Sequence, residues 1–461
     1  MRASLVTSIG VACTAALVLP LSPSGASAAP QVPQATQNTE NTENTENTGS
    51  ADVPGSTQSL PLSALGSDRS SGAATEQGVT RRDVSPFSLL GVVWDDADAE
   101  LRGTVQVRTR TAGSHVWSDW QDLETHNREH GADPGTAERD SGHTRGSTAP
   151  LWVGGSDGVE LRVQAAEEAG NGPAYPPLPR GLRLELIDPG NDQRGAPDEG
   201  AEPAYDGEPV PDTAISPEGG GDWALPEGPE GPEGPEGPED LLPALPRAME
   251  PAALPDSARS YAAPRPRIIT RQGWGADERL REKRLGYSKT LKAAFVHHSG
   301  TGNNYSCRQA PSVLRSIYRY HVKSSGWRDI GYNFAIDKCG NIYEGRAGGV
   351  TRPVLGAHTL GFNTNSVGIA VLGTYDGTNP RAAATTAVAK LTAWKLALHG
   401  VNARGKVTLT SAGSGKYGKG RKVRLNAISG HRDGFSTDCP GNRLYGKLSA
   451  VRKAAGGYQR R

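Results

Sequence analysis

The chain has 461 residues, of which 59 are Gly and 34 are Pro, and only 35% are hydrophobic. Gly and Pro together make up one fifth of the sequence, which excludes a single compact domain of this length. The net charge is zero, but residues 1–265 hold 17 basic and 41 acidic side chains, whereas residues 266–461 hold 33 and 9. The basic half is typical of a protein that meets a polyanion, and its charge does not choose between nucleic acid, anionic lipid and an anionic wall polymer.

Residues 1–28 carry the pattern of a secretory signal peptide. Arg2 precedes an apolar run from Leu5 to Leu21, and residues 26–28 offer a small-residue cleavage site. The run is too short to span a membrane, and no later segment is expected to cross one. We therefore expect a secreted protein without a transmembrane segment, and export argues against nucleic acid as its partner.

Residues 29–84 are polar and contain Asn-Thr-Glu triplets between Asn38 and Thr48. They hold too few apolar side chains to offset the entropy of ordering, which predicts a disordered tract. Over residues 85–190 the pattern changes to short runs of alternating polarity separated by Gly, Asp and Pro clusters. This period of two predicts a small all-β accessory module that resembles a sandwich.

Two groups of side chains in this module have alternative interpretations. Four Trp residues fit either core packing or a surface that stacks on sugars: Trp94, Trp117, Trp120 and Trp152. Three His residues lie in a loop rich in Asp and Gly, where they fit a metal site or, as we expect, a solvated loop: His126, His130 and His143. No residue of the module points to catalysis.

Residues 191–266 are rich in Pro, Gly and Glu, with a Pro-Glu-Gly repeat from Pro226 to Glu239. This composition predicts a disordered, extended and acidic linker. Residues 267–461 then alternate strand and helix patterns, which predicts an α/β domain with a mixed β-sheet flanked by helices. We expect strands at 292–296 and 366–372, a hairpin over 331–345, helices over 310–321 and 382–399, and a last helix opened by Pro440.

The residues that point to chemistry are two His and one Cys in this last domain. His297 ends a predicted strand, and His431 and Cys439 share a loop near the C-terminus. Imidazole and thiolate are ligands that zinc prefers, and three such ligands leave a fourth tetrahedral position open for water, as in catalytic sites. The alternative is an ordinary His at a strand end and a Cys that packs as a small hydrophobe.

The zinc interpretation also bears on the remaining cysteines. With Cys439 on the metal, Cys307 and Cys339 are left to form a disulfide, which the oxidising environment of an exported protein permits. In the loop-entropy estimate such a bridge stabilises the fold by roughly 3 kcal/mol.

Residues 267–461 resemble the peptidoglycan recognition protein and type 2 N-acetylmuramoyl-L-alanine amidase family. The resemblance rests on several ordered motifs: FVHHS at 295–299, GWRDIGYNF at 326–334, YEGR at 343–346, GAH at 356–358, NSVGI at 365–369, and GHRD at 430–433 followed by Cys439-Pro440. It implies a peptidoglycan recognition fold that binds one Zn2+ per catalytic domain. It also implies metal-assisted hydrolysis of the amide between N-acetylmuramic acid and the stem peptide.

The resemblance assigns roles to individual residues. The implied zinc ligands are His297, His431 and Cys439, and the implied catalytic residues are Tyr332 and Thr437. His358 and Asn363 match the segment that lines the stem-peptide groove, and Arg346 lies close to them in the sequence. The expected partners are the stem peptide, N-acetylmuramic acid and anionic wall polymers. The alternative within the family is a recognition protein that binds peptidoglycan without hydrolysing it.

The sequence departs from the animal members just after Arg346. Residues 347–353 replace the Trp-containing segment with which those members read the third stem residue. The resemblance therefore assigns no stem-peptide type.

Overall fold

The computed structural model describes residues 55–65, 75–125, 127–167, 176–190, 241–242 and 261–459. The predicted signal peptide, most of the predicted linker and His126 lie outside these ranges. No helix within them combines the length and the apolar character that crossing a membrane would require.

The N-terminal module is an eight-stranded sheet in which every strand pair is antiparallel. Its strand order is β1-β8-β3-β7-β4-β5, and the short strands β2 and β6 pair with β3. The long strand β3 shifts register against β7 at three places, and such bulges allow a strand of 19 residues to bend. The strands are β1 (Ser56–Pro61), β2 (Ser63–Ala64), β3 (Glu76–Trp94), β4 (Gly103–Thr111), β5 (Gln121–Leu123), β6 (Gly146–Ser147), β7 (Leu151–Ala165) and β8 (Arg183–Asp188).

The predicted all-β module is confirmed, but it begins before residue 85. The prediction of disorder over 29–84 is wrong for residues 55–65 and 75–84, which form β1, β2 and the first part of β3. No residue of β1 is fully buried. Its order comes from backbone pairing with β8, which a composition of few apolar residues does not reveal.

The C-terminal domain contains a mixed sheet in the order β17-β11-β14-β12-β13-β10-β9. Strands β11 and β14 are parallel and buried along their whole length, as expected when both faces of a sheet are covered. A separate hairpin, β15–β16, completes the domain. The strands are β9 (Leu241–Leu242), β10 (Ile268–Ile269), β11 (Ala293–His298), β12 (Phe334–Ile336), β13 (Ile342–Glu344), β14 (Ser366–Val371), β15 (Lys406–Thr410), β16 (Lys422–Asn426) and β17 (Ile428–Gly430).

Helices cover the two faces of this sheet. They are α1 (Ala310–Arg319), which continues as a π-helical turn over Tyr320–Ser324, α2 (Ala382–Ala397), α3 (His431–Gly434) and α4 (Asn442–Tyr458). The core on one face joins β11, β12 and β14 to α2 and α4, and the core on the other face involves α1. Mixed α/β architecture, the hairpin over 331–345 and the helices from 310 and 382 are therefore confirmed.

Two other predictions have definite outcomes. The Cys307–Cys339 disulfide is present and ties the turn before α1 to the β12–β13 hairpin. The prediction of an unstructured linker over 191–266 is wrong at Leu241–Leu242, which pair as β9 with β10. That pairing again depends on a distant strand rather than on local composition.

The module and the C-terminal domain share a hydrophobic core within one compact unit, Val53–Arg461. Trp152 of the module packs in the same cluster as Ile317 and Tyr320. The hydroxyl of Tyr320 donates a hydrogen bond of 3.1 Å to the carbonyl of Thr148. A Cβ at Gly91 would lie 2.4 Å from that hydroxyl, so this close approach requires glycine.

Candidate active site

The structure brings together the three predicted metal ligands at one end of the central sheet. His297 lies near the end of β11, and His431 follows β17 directly as the first residue of α3. Cys439 lies between α3 and α4, with its Sγ 3.8 Å from Nδ1 of His297. All three side chains are fully buried. The parallel pairing of β11 with β17 therefore closes a gap of more than one hundred residues in the sequence.

A fourth side chain completes this cluster, and it comes from the module. One ligand atom from each of His130, His297, His431 and Cys439 lies within 4.8 Å of the others. The ring of His130 is centred 4.6 Å from that of His431. The expectation that this His belongs to a solvated loop is therefore wrong, because only 7% of His130 is exposed, whereas His143 is exposed as expected.

The cluster has the chemistry of a zinc site. Neither ring nitrogen of His130 makes a hydrogen bond within the described residues, and such buried polar atoms are costly unless a ligand occupies them. Burial lowers the pKa of His130 to about 3 and that of His297 well below its usual range. Both imidazoles are thus neutral, which is the form that binds metal.

The pKa of the Cys439 thiol and the distances between the ligand atoms bear on whether the cluster can hold zinc. Burial raises the pKa of Cys439 well above that of a free thiol, so a bound cation would take the place of its proton. Zinc bonds of about 2.0 Å to nitrogen and about 2.3 Å to sulfur separate tetrahedral ligand atoms by roughly 3.3 to 3.5 Å. The cluster is wider than this, with 3.8 Å between Sγ of Cys439 and Nδ1 of His297 and all ligand atoms within 4.8 Å of one another, so binding would draw the ligands together. The residues present therefore fit zinc.

The two predicted catalytic residues lie beside the cluster. The ring of Tyr332 is centred 5.5 Å from that of His297. Burial, followed by the neighbouring Cys439, raises the pKa of this phenol well above its usual value, so it remains a proton donor at neutral pH. Thr437 accepts a hydrogen bond from the backbone N–H of Cys439 at 3.2 Å. Its own hydroxyl donates to Glu129 of the module at 2.6 Å.

The predicted groove residues are also near, but two of them are bound to the module. His358 is fully buried with its ring 5.3 Å from that of His297. The side-chain amide of Asn363 donates to Asp133 at 2.7 Å. Their assignment to substrate binding stays a prediction.

Arg346, the third predicted groove residue, makes a two-pronged ion pair with Glu138 of the module. Both hydrogen bonds are 2.8 Å long, and the two side chains are only 7% and 9% exposed. Burial opposes ionisation of Glu138, but the charge and hydrogen bonds of Arg346 outweigh it, so the pKa of this carboxyl is lowered. The pair is therefore charged at neutral pH.

All these module residues belong to one segment, residues 127–138, which we call the covering loop. Sequence reasoning missed its role because the loop has no periodic pattern and lies far from its partners in the chain. Its Asp and Gly content indicates a turn-rich loop, which is as typical of solvated surface as of a buried site. The one signal present was His130 itself.

The four Trp residues of the module divide into two pairs. Trp94 and Trp152 are 2% and 5% exposed, which confirms core packing for these two. Trp117 and Trp120 are only partly buried, and arginine guanidinium groups lie over their rings at 4.5 to 5.9 Å: Arg81, Arg108 and Arg162. These faces are therefore occupied by cations of the same module.

Comparisons with known proteins agree with this division of the chain. Residues 287–442 match the family described as N-acetylmuramoyl-L-alanine amidase, and residues 39–180 match the one described as Rv3811 N-terminal galactose-binding domain-like. Peptidoglycan-recognition protein SC2 of Drosophila melanogaster is 35% identical over 183 residues, which cover 39% of this chain and 84% of that protein. N-acetylmuramoyl-L-alanine amidase of Homo sapiens is 33% identical over 187 residues, which cover 40% of this chain and 28% of that protein.

Proposed function

Because the chain belongs to the peptidoglycan recognition protein and type 2 amidase family, we propose that it is a secreted, zinc-dependent N-acetylmuramoyl-L-alanine amidase. Its substrate is the amide bond between the lactyl group of N-acetylmuramic acid and the L-alanine of the stem peptide. The observation that carries the proposal is the buried cluster of His297, His431 and Cys439 with Tyr332 beside it. A protein that only binds peptidoglycan has no need for a soft, buried donor set of this kind.

Each residue of the cluster has a role in this reaction. His297, His431 and Cys439 would hold the zinc ion, which when bound would supply a Lewis acid for the scissile carbonyl and for water near neutral pH. The protonated Tyr332 donates a hydrogen bond to the oxygen that becomes negative as the amide carbon turns tetrahedral. The hydroxyl of Thr437 can donate a second hydrogen bond to this oxygen once it no longer donates to Glu129. The loss of one such donor costs about 3 kcal/mol, or roughly 10² to 10³ in turnover.

The charge of the domain suits this substrate. Residues 266–461 carry 33 basic and 9 acidic side chains, and peptidoglycan presents stem-peptide carboxylates, often together with anionic wall polymers. Asn363 and Arg346 supply an amide and a guanidinium beside the cluster, and both groups recognise carboxylates. We therefore assign stem-peptide carboxylates to this side of the site.

The second candidate is a recognition protein that binds peptidoglycan without cutting it. It is favoured by the curated relatives named as recognition proteins and by the four side chains in the cluster, which would leave no open position on a tetrahedral cation. The two candidates differ in whether a bond is broken.

The test is digestion of purified peptidoglycan by the zinc-loaded full chain, with and without a chelator, followed by measurement of newly exposed N-terminal alanine. Cys439→Ser is the matched variant, because it changes one atom of the cluster. We expect alanine release with intact glycan strands, lost on chelation and in the variant. Variants in which the covering loop no longer occupies the cluster are tested in the same way. If neither these variants nor the full chain release alanine, the amidase proposal is wrong.

A further inference from the structure

The covering loop contacts the metal cluster and three of the polar side chains assigned to the proposed reaction or to substrate binding. Its residues meet their partners in turn: Glu129 with Thr437, His130 with the cluster, Asp133 with Asn363, and Glu138 with Arg346. The partners are spread between His297 and Cys439 of the other domain, a separation of 142 residues, whereas the four loop residues lie within ten positions of one another. Four independent contacts of this kind indicate a built fit rather than incidental packing.

The chemistry of the contacts is that of a ligand in a groove. Three of the four loop side chains are carboxylates, and each is at least 91% buried by its surroundings. Asp133 also accepts a hydrogen bond of 2.8 Å from the backbone N–H of Gly361. Because stem peptides of peptidoglycan are themselves chains with free carboxylates, the loop presents to Asn363 and Arg346 the groups that a substrate would present.

His130 adds a contact that no stem peptide makes. Three protein ligands leave zinc one tetrahedral position for water, which is the mark of a catalytic site, whereas four protein ligands close the shell as in structural sites. A ring nitrogen of His130 lies within 4.8 Å of the ligand atoms of His297, His431 and Cys439, so His130 is placed to supply a fourth ligand.

We propose that the covering loop is a built-in inhibitor, in which His130 closes the coordination shell of the metal while Glu129, Asp133 and Glu138 fill the stem-peptide groove. The inference rests on the proposed function, since it concerns the regulation of the same site. The full chain is then a latent enzyme that becomes active when peptidoglycan or cleavage of the loop displaces residues 127–138.

Displacement of the loop does not require the module to leave. The module is held separately through the core around Trp152 and through the Tyr320 hydrogen bond to Thr148, neither of which involves the loop. The middle of the loop, Pro134 and Gly135, is exposed. Exposed tips of this kind are accessible to a protease or to a competing ligand.

The experiment compares the zinc-loaded full chain with three variants. His130→Ala removes the fourth ligand. Glu138→Gln keeps the shape of the side chain but removes the charge that pairs with the buried Arg346, which favours an opened loop. His143→Ala is the matched control, because this exposed His lies five residues beyond the loop. Thermal unfolding of each variant verifies that it is folded.

Three quantities are measured: alanine release from peptidoglycan, the fraction of protein that sediments with peptidoglycan, and zinc affinity in competition with a chromogenic chelator. We expect alanine release to rise at least about tenfold in His130→Ala and in Glu138→Gln, because the apparent rate follows the fraction of molecules with the loop displaced. The fraction of protein that sediments with peptidoglycan should also rise in both variants. Zinc affinity should fall at least about tenfold in His130→Ala alone, and His143→Ala should match the wild type in all three.

The outcomes separate the two proposals. If no protein releases alanine but both loop variants sediment more strongly than the wild type, the covering loop is confirmed as a plug and the amidase proposal fails. If the wild type hydrolyses peptidoglycan as fast as both loop variants do, the loop is not an inhibitor and the inference is overturned. Unchanged zinc affinity in His130→Ala would overturn the assignment of His130 as a ligand.

Discussion

The hydroxyl of Tyr320 offers a direct test of whether the module and the C-terminal domain unfold as one body. Tyr320 is fully buried in the core that the two parts share, and its hydroxyl donates to the carbonyl of Thr148 at 3.1 Å. Burial raises the pKa of this phenol, so the hydrogen bond persists at neutral and moderately alkaline pH. The perturbation is Tyr320→Phe, which removes one oxygen and keeps the ring.

The expected cost follows from the loss of one buried donor. A buried acceptor that loses its partner typically costs about 1 to 3 kcal/mol, and the space left by the oxygen adds little because Gly91 already lies against it. Urea unfolding gives the global change. Hydrogen exchange of peptides from β7 and from β14 then reports the opening free energy of each part separately. We expect both peptides to lose protection by the same amount.

Tyr287→Phe is the matched control. This tyrosine is half-buried in the C-terminal domain, where its hydroxyl lies 3.3 Å from the carbonyl of Gly348. Its removal should cost less than about 1 kcal/mol. If Tyr320→Phe lowers the protection of β7 but leaves that of β14 unchanged, the two parts unfold separately, and the reasoning that the module anchors the covering loop is refuted.

Three further predictions concern single residues. Tyr332→Phe should lower kcat by roughly 10² to 10³ with zinc affinity unchanged, because the phenol donates to the reacting oxygen and is not a ligand; a loss of bound zinc, measured by metal analysis, would contradict this role. Cys307→Ser should lower the free energy of unfolding by about 3 to 4 kcal/mol, because the bridge closes a loop across a separation of 32 residues, and the same loss should appear in the wild type after reduction. Lys395 is buried with its pKa lowered to about 7, so the folded state binds fewer protons than the unfolded state between pH 7 and 10. Between pH 7 and 10 the slope of stability against pH should therefore be more positive in the wild type than in Lys395→Met; equal slopes in urea titrations would count against it.

Much of the fold follows from local sequence pattern. Helix α1 repeats its apolar residues at helical spacing, helix α2 is apolar and buried on nearly all sides, and β12 and β13 lie on either side of a turn. The hairpin β15–β16 was not predicted, although polar and apolar residues alternate in both strands, because they pair across a connection of 11 residues without a tight-turn signal. Strand β1 was not predicted for a similar reason, because its order comes from pairing with β8.

The candidate site divides in the same way. His297, His431 and Cys439 were found from residue type, spacing and family motif, and the structure brings them together. His130 was found only in three dimensions, because nothing in the loop that carries it differs from solvated loops of similar composition.

The sequence by itself determined the chemistry available to this protein: a buried strand ending in His297, a loop with His431 and Cys439, and a disulfide from the two remaining cysteines. Tertiary structure alone decided that a separate module is joined to this domain through a common core and inserts residues 127–138 into the site. The physical reason is that periodicity and motifs record interactions within a segment. Glu129 contacts Thr437 across 308 residues, and Glu138 contacts Arg346 across 208 residues. Complementary charge and shape between such distant segments produce no periodic pattern in the sequence.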